Sequence, residues 1–200
     1  LTTDGEVRLS NLGQTDNEAI MHRQALLDKL HRYRPYDAQE RDMYETLLRF
    51  VETERDCFER SLRIGHVTGS AWIVNPDGTR ALLTHHRKLD RWLQLGGHAD
   101  GEPDILAVAL REAREESGLP DVRPLSEAVF DVDVHPIPAR GTEPRHLHYD
   151  VRFLLEADDA VPLVISSESK DLEWVDLSNI GRYSSEASIG RMTAKSLSRR

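Results

Sequence analysis

The sequence predicts an α+β domain carrying an N-terminal helical extension. Three observations lead there. The first 60 or so residues show helical spacing only, with no strand signal. Strand patterns then cluster as hairpins around one well-capped helix. Helices segregated from hairpins, rather than alternating with single strands, are the α+β order.

Taken in order, residues 1–16 are polar with little periodicity and read as a frayed arm. Asn17–His31 places Ile20, Leu26, Leu27 and Leu30 at roughly helical steps, and Pro35 ends that run. A second helix starts near Asp37, with Met43, Leu47, Phe50, Val51, Glu54 and Phe58 along its stripe and Cys57 inside it. His66–Asn75 is β-rich; Asn75-Pro76-Asp77-Gly78 is a turn by composition; Arg80–Thr84 is the return strand. Trp92–Leu95 is a short strand leading into a Gly96-Gly97 turn. Pro103–Ser117 is a helix, with Pro in its first turn and Gly118 at the left-handed cap. Ala128–His135 and Leu147–Leu155 are strands joined by the loop Pro136–Pro144, Leu172–Val175 is a last strand, and Ser185–Leu197 a terminal helix. The division is therefore an arm and helical extension over 1–60 and a main domain over 61–200.

Composition narrows the function. Two hundred residues, 38% hydrophobic and 30% charged, suit one globular domain that needs no disulfide or metal staple. A net charge of −9 argues against a sequence-independent grip on nucleic acid. Cys57 is the single cysteine, which excludes an internal disulfide and Cys-based zinc clusters. No apolar run nears the ~20 residues that span a bilayer, and no signal pattern opens the chain, so the cytoplasm is the expected location.

The chemistry concentrates between Gly97 and Leu119. At 100° per residue, Glu112, Glu115 and Glu116 share roughly a 100° arc of one helix, continuing the apolar stripe of Ile105, Val108 and Ala109. Like charges three and four residues apart repel, and the helix C-terminus disfavours anions. A divalent cation with hard oxygen ligands, Mg²⁺ or Mn²⁺, resolves that conflict. Arg111 and Arg114 offset part of the charge. The plainer alternative is a solvated acidic helix end.

This stretch resembles the Nudix box: Gly, five residues, Glu, seven residues, Arg-Glu-U-x-Glu-Glu-x-Gly-U, with U bulky and apolar. Gly97, Arg111, Glu112, Glu115, Glu116, Gly118 and Leu119 fall in register. Ala113 is small for a U position, and Pro103 replaces the first Glu, with Glu102 one place early. The resemblance covers about Leu62–Val175. It implies a Nudix-type αβα sandwich with a mixed sheet. It also implies Mg²⁺- or Mn²⁺-dependent hydrolysis of a nucleoside diphosphate linked to another moiety. Glu112 and Glu116 would be metal ligands, Glu115 a ligand or the holder of a bound water, and the Gly97 carbonyl a further donor. Arg111 would hold the glutamates. An extra carboxylate is expected from outside the box, with Glu168, Glu143 and Glu173 as candidates. A Nudix-fold binding module without turnover is the alternative. An isomerase of isopentenyl diphosphate would need a cysteine in the site, and Cys57 lies in the extension.

The strands after the box alternate. Asp131, Asp133 and His135 share one face, as do His146, His148, Asp150 and Arg152. Paired, they build a wall of His, Asp and Arg. It is either a substrate pocket, with His148 or His135 on phosphate or as a base, or the solvated face of a half-buried sheet. A further metal site there is a weaker reading. His98, next to Gly97, is a substrate contact or a loop histidine. The coenzyme A pattern is half echoed by Leu82-Leu83-Thr84, and Pro136 stands near the position that marks ADP-ribose enzymes, so the linked moiety stays open. The helices of 17–60 are a lid, a homodimer surface or a scaffold.

Overall fold

The computed structural model describes residues 22–199. The expected polar arm, the helix start at Asn17 and Ile20 lie outside the described residues. A first helix, α1, runs over residues 22–32 and buries Leu26 and Leu30. Asp37 caps α2 (Ala38–Thr53) by accepting a hydrogen bond from the Glu40 backbone N–H. The helix stops earlier than its stripe predicts, because Glu54 turns extended (φ −91°, ψ 112°). Cys57 and Phe58 therefore lie beyond it, and the Cys57 carbonyl accepts from Val67 N at 2.7 Å. Burial pushes the Cys57 thiol up to about 12, which suits a buried small apolar residue and not a nucleophile.

The strands are β1 (Gly65–Val74), β2 (Arg80–His86), β3 (Arg91–Leu93), β4 (Leu95–His98), β5 (Arg123–Pro124), β6 (Asp131–Ile137), β7 (His146–Glu156) and β8 (Ser169–Asp176). They form one mixed eight-stranded sheet. Its spine is a parallel pair, β1 against β7, in register from Gly65↔Leu147 to Val74↔Glu156. On the far edge of β7 run β6 and β5; on the far edge of β1 run β4 and, past Val74, β2 with β3 and β8. The single strand expected over Trp92–Leu95 is two. Arg91–Leu93 pairs with β2 and Leu95–His98 with β1, so the chain changes partner at Gln94. Gly96 and Gly97 sit inside β4, opposite Ser70 and Gly69, rather than in a turn.

Helices cover both faces of the sheet. α3 (Ile105–Ser117) begins after Pro103, because Asp104 takes the cap and accepts from the Leu106 and Ala107 backbone N–H groups. Gly118, at φ 71°, closes it in the left-handed region where a side chain would be strained. Ile105, Val108, Ala109 and Ala113 of α3 bury against Val67, Ala71, Val151 and Phe153, in a core that also takes Leu26, Leu30, Leu47, Phe50 and Val51 from α1 and α2. The extension thus shares the main core. The opposite face packs Trp72, Val74, Leu83 and Leu154 against a 3₁₀ turn (Leu177–Arg182) and α4 (Ala187–Leu197), through Leu177, Ile180, Ile189 and Met192. No described helix is long and apolar enough to cross a membrane.

Beside this second core lies a buried ionic network. The Arg152 guanidinium reaches Asp150 Oδ2 at 2.7 Å, Asp131 Oδ1 at 3.1 Å and Asp133 Oδ2 at 3.1 Å. Arg191 of α4 donates twice to Asp131, at 2.8 and 2.9 Å. Lys195 Nζ bonds Glu40 of α2, the Tyr33 hydroxyl and Asp131 Oδ2. Burial costs these charges hydration; their mutual contacts offset it. Against the opposing effect of burial, a hydrogen bond with His135 and the charges of Arg152 and Arg191 hold Asp133 down to about 2. Removing one member strands the others, so Arg152→Leu is expected to lower unfolding free energy by about 3–5 kcal/mol in urea titrations. Arg123→Ala, which breaks an exposed pair with Glu156, should leave the midpoint near wild type.

Candidate functional site

The last turn of α3 brings Glu112 and Glu116 against β4. Gly96 N donates to Glu116 Oε1 at 3.0 Å. A Cβ on Gly97 would lie 2.4 Å from the Glu112 carboxyl carbon, so only glycine admits that carboxylate so close to the strand. Arg111 Nη1 lies 2.6 Å from Glu112 and 3.7 Å from Glu115, and its Nη2 donates to the His98 carbonyl at 3.1 Å. The same side chain thus ties two box glutamates to the strand they face. Glu115 is exposed, Glu112 half-buried and Glu116 buried.

Burial dominates the electrostatics here. It raises the Glu112 carboxyl, opposed by Arg111 and reinforced by the charges of Glu115 and Glu168. It pushes Glu116 up to about 8, against the Gly96 N–H and with Glu112, Glu168 and Glu115 adding to the rise. Glu168, in the loop before β8, adds its charge to the rise at both Glu112 and Glu116. The other two candidates for an extra carboxylate stand elsewhere. Glu143 lies 3.6 Å from Arg60, and Glu173 accepts from the Tyr183 hydroxyl at 2.6 Å. A cleft of about 340 Å³, lined by Ala99, Asp100, Glu102, Ala107, Val108 and Arg111, opens beside the α3–β4 contact.

The alternating strands do pair, His135 facing His148 and Asp131 facing Arg152, but the wall divides into two parts. At one end His98, His135, His146 and His148 gather with His66 of β1: ring centroids are 4.9 Å apart for His66–His148 and 5.0 Å for His66–His146, His66–His98 and His98–His148, with His135 5.6 Å from His148. At the other end, Asp150 and Arg152 are 2% exposed and sealed in the ionic network. Asp150 also accepts from the Thr68 and Ser70 hydroxyls. This corrects the expectation that Asp150 and Arg152 line a substrate pocket: α4 covers that end and Arg191 and Lys195 fill it.

His66 escaped the sequence reading. Its alternation with Thr68, Ser70 and Trp72 puts it on the right face, but only the parallel β1–β7 register sets it beside His148. Trp92 stacks on His85 at 5.0 Å and meets Tyr183 edge-on. His85 in turn lies 2.9 Å from Asp90, which leaves this pair outside the site.

The elevated Glu116 value has a stability consequence. A carboxyl raised on folding binds its proton more tightly in the native state, so the native state loses ground as pH rises from about 4.5 to about 8. Without divalent cations, Glu116→Gln should melt progressively higher than wild type across that window. A constant gap would contradict the burial argument.

Residues 65–195 match the NUDIX domain. No curated protein matches the chain. Among solved structures, a binary complex of a C. elegans Ap4A hydrolase aligns with TM-score 0.53 at 18% identity, covering 66% of this chain and 95% of that one. A further C. elegans Ap4A hydrolase structure gives 0.50 at 17%, covering 66% and 96%. A Nudix hydrolase from M. smegmatis, RenU, gives 0.49 at 19%, covering 68% and 84%. At these identities the likeness to the two C. elegans structures speaks for the fold alone, and the domain match for the family. With its box glutamates and arginine converging on Gly96 and Gly97, the chain belongs to the NUDIX domain family.

Proposed function

We propose that the protein hydrolyses the diphosphate bond of a nucleoside diphosphate linked to another moiety, using Mg²⁺ or Mn²⁺. The observation that carries this reading is the pair of desolvated carboxylates at the end of α3, one of them raised to about 8. Two such groups, with Glu115 and Glu168 adding charge, gather oxygen donors whose mutual repulsion a divalent cation can relieve by displacing the proton. Oxygen donors on a rigid helix suit a hard ion, so the donor set fits the group.

Glu112 and Glu116 would hold the ion, with Glu115 and the Gly97 carbonyl completing its surroundings. The ion, when bound, supplies Lewis-acid charge that neutralises phosphate oxygens and acidifies water. The chain's own residues do the rest. Arg111, bonded to Glu112 and to the His98 carbonyl, positions the helix end against β4. Glu168 is the carboxylate outside the box best placed to accept a proton from the attacking water. His98, one residue beyond Gly97, serves through its backbone carbonyl, which accepts from Arg111, while its ring packs on His66 and His148.

The reading is tested by incubating the protein with a panel of nucleoside diphosphate derivatives and Mg²⁺ or Mn²⁺, then measuring phosphate released by a coupled phosphatase. Turnover of at least one derivative that stops on chelation is the expected outcome; none with either ion would overturn the reading. Glu116→Gln should lower kcat by roughly a hundredfold or more while its melting curve stays cooperative. Near-normal turnover in that variant would remove Glu116 from the metal-holding set.

A further inference from the structure

We propose that His66, His146 and His148 form a second metal site, selective for a divalent transition metal of the zinc class and distinct from the carboxylate site. The three residues sit on the β1–β7 spine, where rigid backbone fixes their spacing. One ring nitrogen from each lies within 4.8 Å of the others. Tetrahedral zinc with bonds of about 2.0–2.1 Å sets neighbouring nitrogens about 3.3 Å apart. His146 Nε2 and His148 Nε2 already stand at 3.3 Å.

Hydrogen bonding selects the same atoms. His146 Nδ1 lies 2.9 Å from the Pro144 carbonyl. A carbonyl only accepts, so Nδ1 carries the hydrogen and Nε2 the lone pair. That is the arrangement in which an outer carbonyl orients a metal-bound imidazole. A hydrogen bond between His146 and His148 would satisfy that pair alone. It would leave His66, 2% exposed, with neither ring nitrogen partnered. A buried imidazole with both nitrogens unsatisfied is rare, and an ion between the three rings gives His66 a partner.

The two sites differ in hardness and in place. Imidazole nitrogens favour zinc, copper or nickel over magnesium, whereas carboxylates also accommodate hard ions such as magnesium and manganese. Gly97 faces Glu112 while the next residue, His98, packs on His66 and His148. Strand alternation therefore puts the sites on opposite faces of β4. Three protein nitrogens leave a fourth position open, as in zinc sites that take water or substrate.

The test uses untagged full-length protein stripped with a chelator and titrated with Co²⁺, then Zn²⁺. We expect one equivalent of Co²⁺ to give the intense visible bands of a tetrahedral nitrogen-ligated ion, displaced by Zn²⁺ and retained in Glu116→Gln. His146→Ala should weaken Zn²⁺ binding roughly a hundredfold. Absent bands, bands lost in Glu116→Gln, or unchanged Zn²⁺ affinity in His146→Ala would overturn the site. Should His146→Ala fail to fold, X-ray absorption of zinc-loaded wild type decides. Three imidazole neighbours support the site, and fewer overturn it.

Discussion

Repulsion between carboxylates at the end of α3 is the constraint around which the rest of this architecture is arranged. Glu112 and Glu116 continue the apolar stripe that sinks α3 into the sheet, so packing the helix necessarily draws their charges out of water. The fold answers locally in three ways. Gly96 offers a backbone N–H, Gly97 gives up its side chain to make room, and Arg111 spans Glu112, Glu115 and the β4 carbonyl. None of these neutralises the pair. In the proposed reading a bound cation would answer the charge that remains, on a helix packed rigidly by Ile105, Val108 and Ala113.

Legibility in the sequence followed the range of the interactions. The box helix was readable because periodicity and capping act within a few residues. Gly118 and the glutamates fell where expected, and the start moved only from Pro103 to Ile105 because Asp104 supplies a capping oxygen. The strand after Leu89 split because Gln94 marks a change of partner, which no local pattern encodes. Asp150 and Arg152 alternate like pocket residues, yet Arg191 and Lys195, some forty residues on, fill the space before them. His66 joined the histidines through a parallel register between strands some eighty residues apart. Local chemistry was thus visible, and long-range placement was not.

The sheet keeps two kinds of polar chemistry apart. Oxygen donors gather on the α3 side, under the core built with α1 and α2. Nitrogen donors gather on the α4 side, next to a fully satisfied ionic network. The consecutive residues Gly97 and His98 connect the two, one lending space to a carboxylate and the other a ring to the histidines. A shift of β4 by one position would exchange these roles and disable both, which is why its short pairing with β1, only Leu95 to His98, is reinforced by Arg111 from outside the ladder.

The ionic network has a consequence for biosynthesis. Glu40 and Asp131 leave the ribosome well before Arg191 and Lys195, the cations that neutralise them. Until those arrive, closing the α2–β6 contact would bury Glu40 without its cationic partners and leave Asp131 with Arg152 alone. Docking of α4 and closure of that seam are therefore energetically coupled.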